Sequence, residues 1–169
     1  MYLGGVLGGS LGRSLPGAFV AYCENTGRVS YSGAFIVSHI GGIVGYNMRV
    51  KTKFCINRGE IVSAARGVEE GSDRYCQEMA GGICGMAESG NIDFCETTLD
   101  AAHTIRTEGG EISMTGGIAG SMNGGRISAC TFTGTGVLEA AFNTVPEGYY
   151  VYAQAGGLVG STAEASIES

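Results

Sequence analysis

The segment GGIVG at residues 41–45 has four near copies: GGVLG at 4–8, GGICG at 81–85, GGIAG at 116–120 and GGLVG at 156–160. Their starts, at 4, 41, 81, 116 and 156, are 37, 40, 35 and 40 residues apart. Self-similarity at a period of about 20 to 50 residues marks a solenoid or a related array. Fourteen residues after the first glycine of repeats two, three and four stand Cys55, Cys95 and Cys130. Cys23 matches them in the first repeat, displaced by an insertion around residues 12–16. Two residues after each start stand Val6, Ile43, Ile83, Ile118 and Leu158; eleven after the last four stand Thr52, Ile92, Ile127 and Ile167.

Apolar residues that recur in register while their spacers vary imply coils whose equivalent side chains stack in columns, because one coil cannot bury its own apolar face. The chain therefore reads as a single all-β domain over residues 1–169, a right-handed parallel β-helix of about five coils. At a strand spacing of about 4.7 to 4.9 Å, five coils make a rod roughly 20 to 25 Å long. Roughly three short strands are expected per coil: the doublet segment (42–46), a segment leading into the cysteine (91–96 or 126–132), and one before the next doublet (34–40, 74–80, 111–115, 149–155). Turns fall at Asn25-Thr26-Gly27, Asn57-Arg58-Gly59, Ser89-Gly90-Asn91 and Asn123-Gly124-Gly125. Longer loops are expected at 62–73, 97–110 and 138–148, on one side of the rod; helix signals at 60–66 and 98–104 are weak.

Composition agrees. The 31 glycines accompany only two prolines, Pro16 and Pro146, and come in widely spaced doublets, which excludes a disordered linker and collagen. They must serve backbone geometry at chosen points. A formal charge of −6, with 10 basic against 16 acidic residues, disfavours nucleic acid and anionic membranes as partners. Residues 29–48 lack formal charge, but their serines, His39, Asn47 and glycines suit buried strands better than a membrane span. No signal-like segment opens the sequence, as in a cytoplasmic protein or a piece from which a leader and flanking repeats are missing.

The GGIVG segments, with the Ile-x-x-Cys step (Ile92 to Cys95, Ile127 to Cys130) and the Asn-x-Gly turn, resemble the GLUG-motif repeats of bacterial surface and adhesin-like proteins, from Gly4 to Ile167. The resemblance implies a parallel β-helix, extracellular or cell-surface display, and an adhesive or scaffolding part in a longer polypeptide. It carries over no catalytic residue. These repeats are longer than the family's compact unit, Thr52 interrupts the isoleucine series, and Cys76 and Cys84 stand outside the cysteine series.

Most side chains capable of chemistry also fit a packing role. No Cys-x-x-Cys or zinc-spaced Cys/His group occurs, so neither a metal nor another cofactor is expected. Cys23, Cys55, Cys95 and Cys130, with Ile43, Ile83, Ile118 and Leu158, read as structural columns; reduced cysteine behaves as a small buried hydrophobe. His39 and His103 have no matching nucleophile, and Asp73, Asp93 and Asp100 fall at unrelated offsets. The candidate binding surface is Tyr149, Tyr150 and Tyr152, of which alternation turns at least one outward toward a glycan or host-surface protein. The expected function is a non-enzymatic structural or adhesive segment whose coil ends self-associate or join flanking repeats. The alternative is a carbohydrate-binding or polysaccharide-cleaving β-helix.

Overall fold

In a computed structural model, residues 1–11, 17–33, 37–65, 76–141 and 152–168 are described. All regular structure among them is β-strand. The first coil holds β1 (Tyr2–Gly4), β2 (Leu7–Leu11), β3 (Phe19–Ala21), β4 (Glu24–Asn25) and β5 (Val29–Gly33). The second holds β6 (Val37–Gly41), β7 (Val44–Met48), β8 (Lys51–Lys53), β9 (Ile56–Asn57) and β10 (Ile61–Ala65). The third holds β11 (Gln77–Gly81), β12 (Cys84–Glu88), β13 (Asn91–Asp93), β14 (Glu96–Leu99) and β15 (Thr104–Glu108). The fourth holds β16 (Ile112–Gly116), β17 (Ala119–Asn123), β18 (Arg126–Ser128), β19 (Thr131–Gly134) and β20 (Val137–Ala141). A fifth, partial coil adds β21 (Tyr152–Gly156), β22 (Val159–Ala163) and β23 (Ser166–Glu168).

Each strand pairs in parallel with its counterparts one coil before and after. This gives five sheets along the rod, in orders such as β1-β6-β11-β16-β21 and β2-β7-β12-β17-β22. The parallel β-solenoid expected from the repeats is therefore the fold, with four complete coils and three strands of a fifth among the described residues.

Each of the four complete coils has five strands where three were expected. The segment read as one strand into the cysteine is broken at Phe94, which separates β13 from β14. Phe94 has φ 53°, and Tyr22, Phe54 and Ala129 at the same step of the other coils have φ 57°, 54° and 46°. A second left-handed column, Arg49, Ser89, Gly124 and Glu164, turns the chain one strand earlier. Left-handed geometry costs a non-glycine residue about 1 to 2 kcal/mol. It persists because each corner N–H still reaches the next coil: Arg49 donates to Glu88 O at 2.9 Å, Ser89 to Asn123 O at 2.8 Å and Phe94 to Ser128 O at 3.0 Å. The expected loops at 97–110 and 138–148 likewise carry β14, β15 and β20, and 62–65 belongs to β10; strand pairing wins there because Ile61, Ile105 and Leu138 stack as one apolar column.

Two apolar clusters fill the interior. One joins Ile43, Ile83 and Ile118 with Val44, Cys84 and Ala119, with Ile92 and Ile127, and with Cys55 and Cys95; Leu158, Cys23 and Cys130 pack partly buried against it. The other joins Val29, Ile61 and Ile105 with Ile40, Ala80 and Leu99. Thr52, which interrupts the isoleucine series, is wholly buried and accepts a 3.1 Å hydrogen bond from Asn47 Nδ2. Asn47 also donates to Val50 O at 3.0 Å and accepts from Val50 N at 3.1 Å. In the next coils the same two positions are Ala87 with Ile92 and Met122 with Ile127, so the polar pair replaces an apolar one as a unit.

Truncating Ile118 to alanine is expected to cost about 2 to 5 kcal/mol in urea denaturation, the range for a large side chain removed from a closed core. Thr52→Ile alone should cost about 1 to 3 kcal/mol by orphaning one Asn47 donor. Adding Asn47→Ala, which copies the third coil, should recover part of that loss; strictly additive effects of the two changes would contradict the coupling.

Candidate functional site

The interior cysteine column is built by the strand stack itself. Cys23, Cys55, Cys95 and Cys130 each follow a left-handed corner residue, and each thiol faces the carbonyl two residues before it, at 3.3, 3.3, 3.4 and 3.3 Å. Three of them also approach a carbonyl of the coil below: Cys55 to Val20 O at 3.9 Å, Cys95 to Thr52 O at 3.8 Å and Cys130 to Ile92 O at 3.4 Å. The Cys95 N–H points at Cys130 Sγ, 3.3 Å away. All six cysteines are free thiols.

Acidity within the column is set by the neighbours. Cys55 is shifted down by hydrogen bonding with the neighbouring Cys95 thiol, against the opposing effect of burial. Cys95 holds its proton, raised by hydrogen bonds to Cys130 and Cys55 and by burial. Cys76 and Cys84, outside the column, are pushed up to about 12 by burial, and the charges of Glu78 and Glu111 add to the shift at Cys76. A thiol held protonated in this way is a poor nucleophile at neutral pH.

Of the tyrosines expected to form a binding surface, Tyr149 and Tyr150 lie outside the described residues. Tyr152 opens β21 and is 54% exposed. A more ordered aromatic feature lies elsewhere. Tyr22, Phe54 and Phe94, one in each of the first three coils, stack with ring centroids 5.1 Å apart at both steps and interplanar angles of 10° and 11°. They are 77%, 39% and 56% exposed, so the corner they occupy is an outward aromatic ridge. Its signal is present in the sequence, since each ring immediately precedes a column cysteine, as does Ala129 in the fourth coil. Beside the ridge, Lys53 Nζ lies 4.7 Å from the centre of the exposed Phe19 ring.

A second aromatic group sits near the first coil. His39 stacks with Tyr2 at 5.3 Å and Tyr46 at 5.4 Å, and Tyr2 and Tyr46 lie 4.7 Å apart; the Tyr46 hydroxyl donates to the Glu88 carboxylate. His39 shares its strand position with Met79, Met114 and Gln154, and burial, reinforced by the N-terminal ammonium, lowers its pKa to about 4. His103 instead sits on an exposed turn, with Nδ1 2.6 Å from Asp100 Oδ1. Asp93 is engaged by Ser128 at 2.6 Å and Arg126 at 3.1 Å.

Sequence inspection missed one buried polar group. Glu78 is wholly buried and accepts from Ser63 Oγ at 2.6 Å and Gly110 N at 3.0 Å, while Ser63 Oγ lies 3.0 Å from Ser38 Oγ. One coil on, Glu111 accepts from Cys76 N at 2.5 Å. Backbone N–H donors hold these carboxylates at the seam between adjacent sheets, which suits a structural part. Among the described residues, no group of three or more His, Cys, Asp or Glu side chains is placed to hold a metal ion, and no helix is long and apolar enough to cross a membrane.

No family model, curated protein or solved structure matches the chain. The chemistry must be read from the arrangement itself, which joins an apolar, thiol-lined interior to an outward aromatic ridge.

His39, buried beneath Tyr2 and Tyr46, gives the fold a pH dependence of definite sign. The unfolded chain binds a proton there near pH 6.5, whereas the folded chain resists it to about 4. Stability should therefore fall as pH drops from about 6.5 toward 4, by up to ~3 kcal/mol. Replacing His39 with methionine, the residue at this position in the next two coils, should flatten that limb of a stability-against-pH curve from chemical denaturation. An unchanged slope would assign the acid sensitivity elsewhere.

Proposed function

We propose that this chain is a segment of a non-enzymatic structural or adhesive β-solenoid, part of a surface or secreted assembly, which associates through its coil ends. One observation carries the proposal: successive coils pair in parallel and in register, so each coil offers the same edges and columns to a further coil, whether of this chain or of another copy. Ile43, Ile83 and Ile118 are fully buried, while Val6 in the first coil is 50% exposed. Ile92 and Ile127 are likewise buried, while Ile167 in the fifth coil is 51% exposed. Unpaired strand edges recruit further strands unless charge, proline or a covering element blunts them. Strands β1, β2 and β3 hold no charged residue, and β21 to β23 hold only Glu168. The residue-level likeness to GLUG-motif repeats of surface proteins supports the same reading, including extracellular or cell-surface display.

The outward aromatics favour a second reading, that of a carbohydrate-binding solenoid. Sugars stack on ring faces, and within the ridge each ring covers the face of the next. The ring faces left uncovered are those at the two ends of the stack, on Tyr22 and on Phe94 beside Ala129, and these are the ones that suit a sugar. The structural reading therefore fits the ridge better.

Two measurements separate these readings. In multi-angle light scattering across a dilution series, the mean mass should rise with concentration above the 17.3 kDa of one chain. A mass that never leaves that value would count against association. A glycan screen should give no binding; a glycan signal removed by Tyr22→Ala would favour the carbohydrate reading.

A further inference from the structure

Two sheets lie against each other beside the glycine corner. Sheet β1-β6-β11-β16-β21 and sheet β2-β7-β12-β17-β22 approach backbone to backbone at a column of glycines. A Cβ added at Gly45, Gly85, Gly120 or Gly160 would fall 2.5, 2.4, 2.7 or 2.8 Å from the backbone nitrogen of Leu3, Ile40, Ala80 or Thr115 respectively. Each strand of the second sheet therefore rests on the strand of the first sheet one coil earlier. The residue after each glycine, at 46, 86, 121 and 161, then meets the residue before that contact, at 2, 39, 79 and 114. The first such pair is seen directly, because Tyr46 stacks on Tyr2 at 4.7 Å and on His39 of its own coil at 5.4 Å.

One coil further along, the same register sets Met86 on His39 and beside Met79. Met86 pairs with Tyr46 across β12 and β7, and Met79 pairs with His39 across β11 and β6. Met79 is buried, Met86 is half-buried, and so is Met114, the partner of Met79 on β16. Three of the six methionines of the chain thus gather around one imidazole. His39 is 5% exposed, and its Nδ1 is buried with no hydrogen-bond partner among the described residues. Buried polar nitrogens ordinarily have a partner. Stacking against two tyrosines accounts for the faces of the ring and leaves this nitrogen unexplained.

We propose that His39, Met79 and Met86 form a site for a soft monovalent metal ion of the copper(I) class, with Met114 beside it. Thioether sulfur selects copper(I) over harder ions, and a neutral imidazole suits the same metal. Burial keeps the His39 ring neutral at pH 7, with its pKa lowered to about 4, so no proton competes for its lone pair. Tyr2 and Tyr46 stack on the imidazole, and an aromatic face attracts a cation placed near it. The charges beside the site are opposite in sign: the Met1 ammonium, which donates to Val37 O, and the Glu88 carboxylate, which accepts from the Tyr46 hydroxyl. That balance favours a monovalent ion over a divalent one. The three ligands come from β6, β11 and β12 in two successive coils, and the two from methionine fall outside any Cys/His spacing. The site does not depend on how coils associate.

Methionine methyl resonances of the whole chain test the site, with those of Met79, Met86 and Met114 assigned by Met→Leu variants, which nearly conserve volume. Copper(I), added without oxygen, should move the Met79 and Met86 methyls in one saturable step and leave Met122, in the apolar interior, in place. The titration runs past the capacity of the six free thiols, so that uptake by cysteine does not mask the step. His39→Leu should weaken the step at least tenfold, and Met86→Leu, at a half-buried position, should weaken the Met79 response likewise. Zinc should leave both methyls unmoved. Copper(I) uptake with the Met79 and Met86 methyls in place would assign the metal to the thiols and overturn the proposal. A step of undiminished affinity in His39→Leu or Met86→Leu would also overturn it, and so would an equal response to zinc.

Discussion

Close approach of backbone to backbone at the glycine doublets is the constraint on which the rest of the structure depends. Where β6 gives way to β7, and at the same step of each of the first four coils, a carbonyl lies so near the second glycine that no side chain fits between coils. The first glycine is equally confined, with the carbonyl three residues on lying 1.9 to 2.1 Å from its absent Cβ. This tight corner lets two sheets meet at the narrow edge of the rod. It also sets Ile43, Ile83 and Ile118 directly above one another, because the backbone on either side has no freedom to drift in register.

From that corner the interior follows. Parallel pairing repeats every backbone position at one strand spacing, so whatever side chain occupies an inward position must tolerate a near copy above and below it. Isoleucine, valine and small thiols do so at no polar cost. Asn25 and Asn57 do so by bonding to each other at 2.7 Å while closing their own turns through the carbonyls of Gly27 and Gly59. Aromatic rings do so by stacking, outward in the ridge of Tyr22, Phe54 and Phe94 and around His39 on the other side. The buried carboxylates of Glu78 and Glu111 are the exception, and both are held by backbone N–H groups.

The same repetition leaves the outer corners of the rod as the place where side chains can meet another molecule, as in the exposed ridge of Tyr22, Phe54 and Phe94. An interior enclosed by five sheets is filled with side-chain columns, and its thiols are mostly raised in pKa or deeply buried.

The period of the solenoid, its parallel stacking and the membership of the cysteine and isoleucine columns could be read from residues alone, since one backbone constraint recurs and selects glycine each time. The five-strand coil could not. Its extra corners use left-handed Tyr22, Phe54, Phe94, Arg49 and Ser89, residue types that carry no compositional mark of that conformation, and the coil-to-coil hydrogen bonds are what hold them there. The aromatic ridge, the Asn47 and Thr52 pair and the Glu78 cluster also emerged only in three dimensions, because each is formed by residues from different strands or coils. What the chain alone determined is which positions repeat; the tertiary structure decided which way each repeated side chain points, through corner angles that depend on contacts between coils.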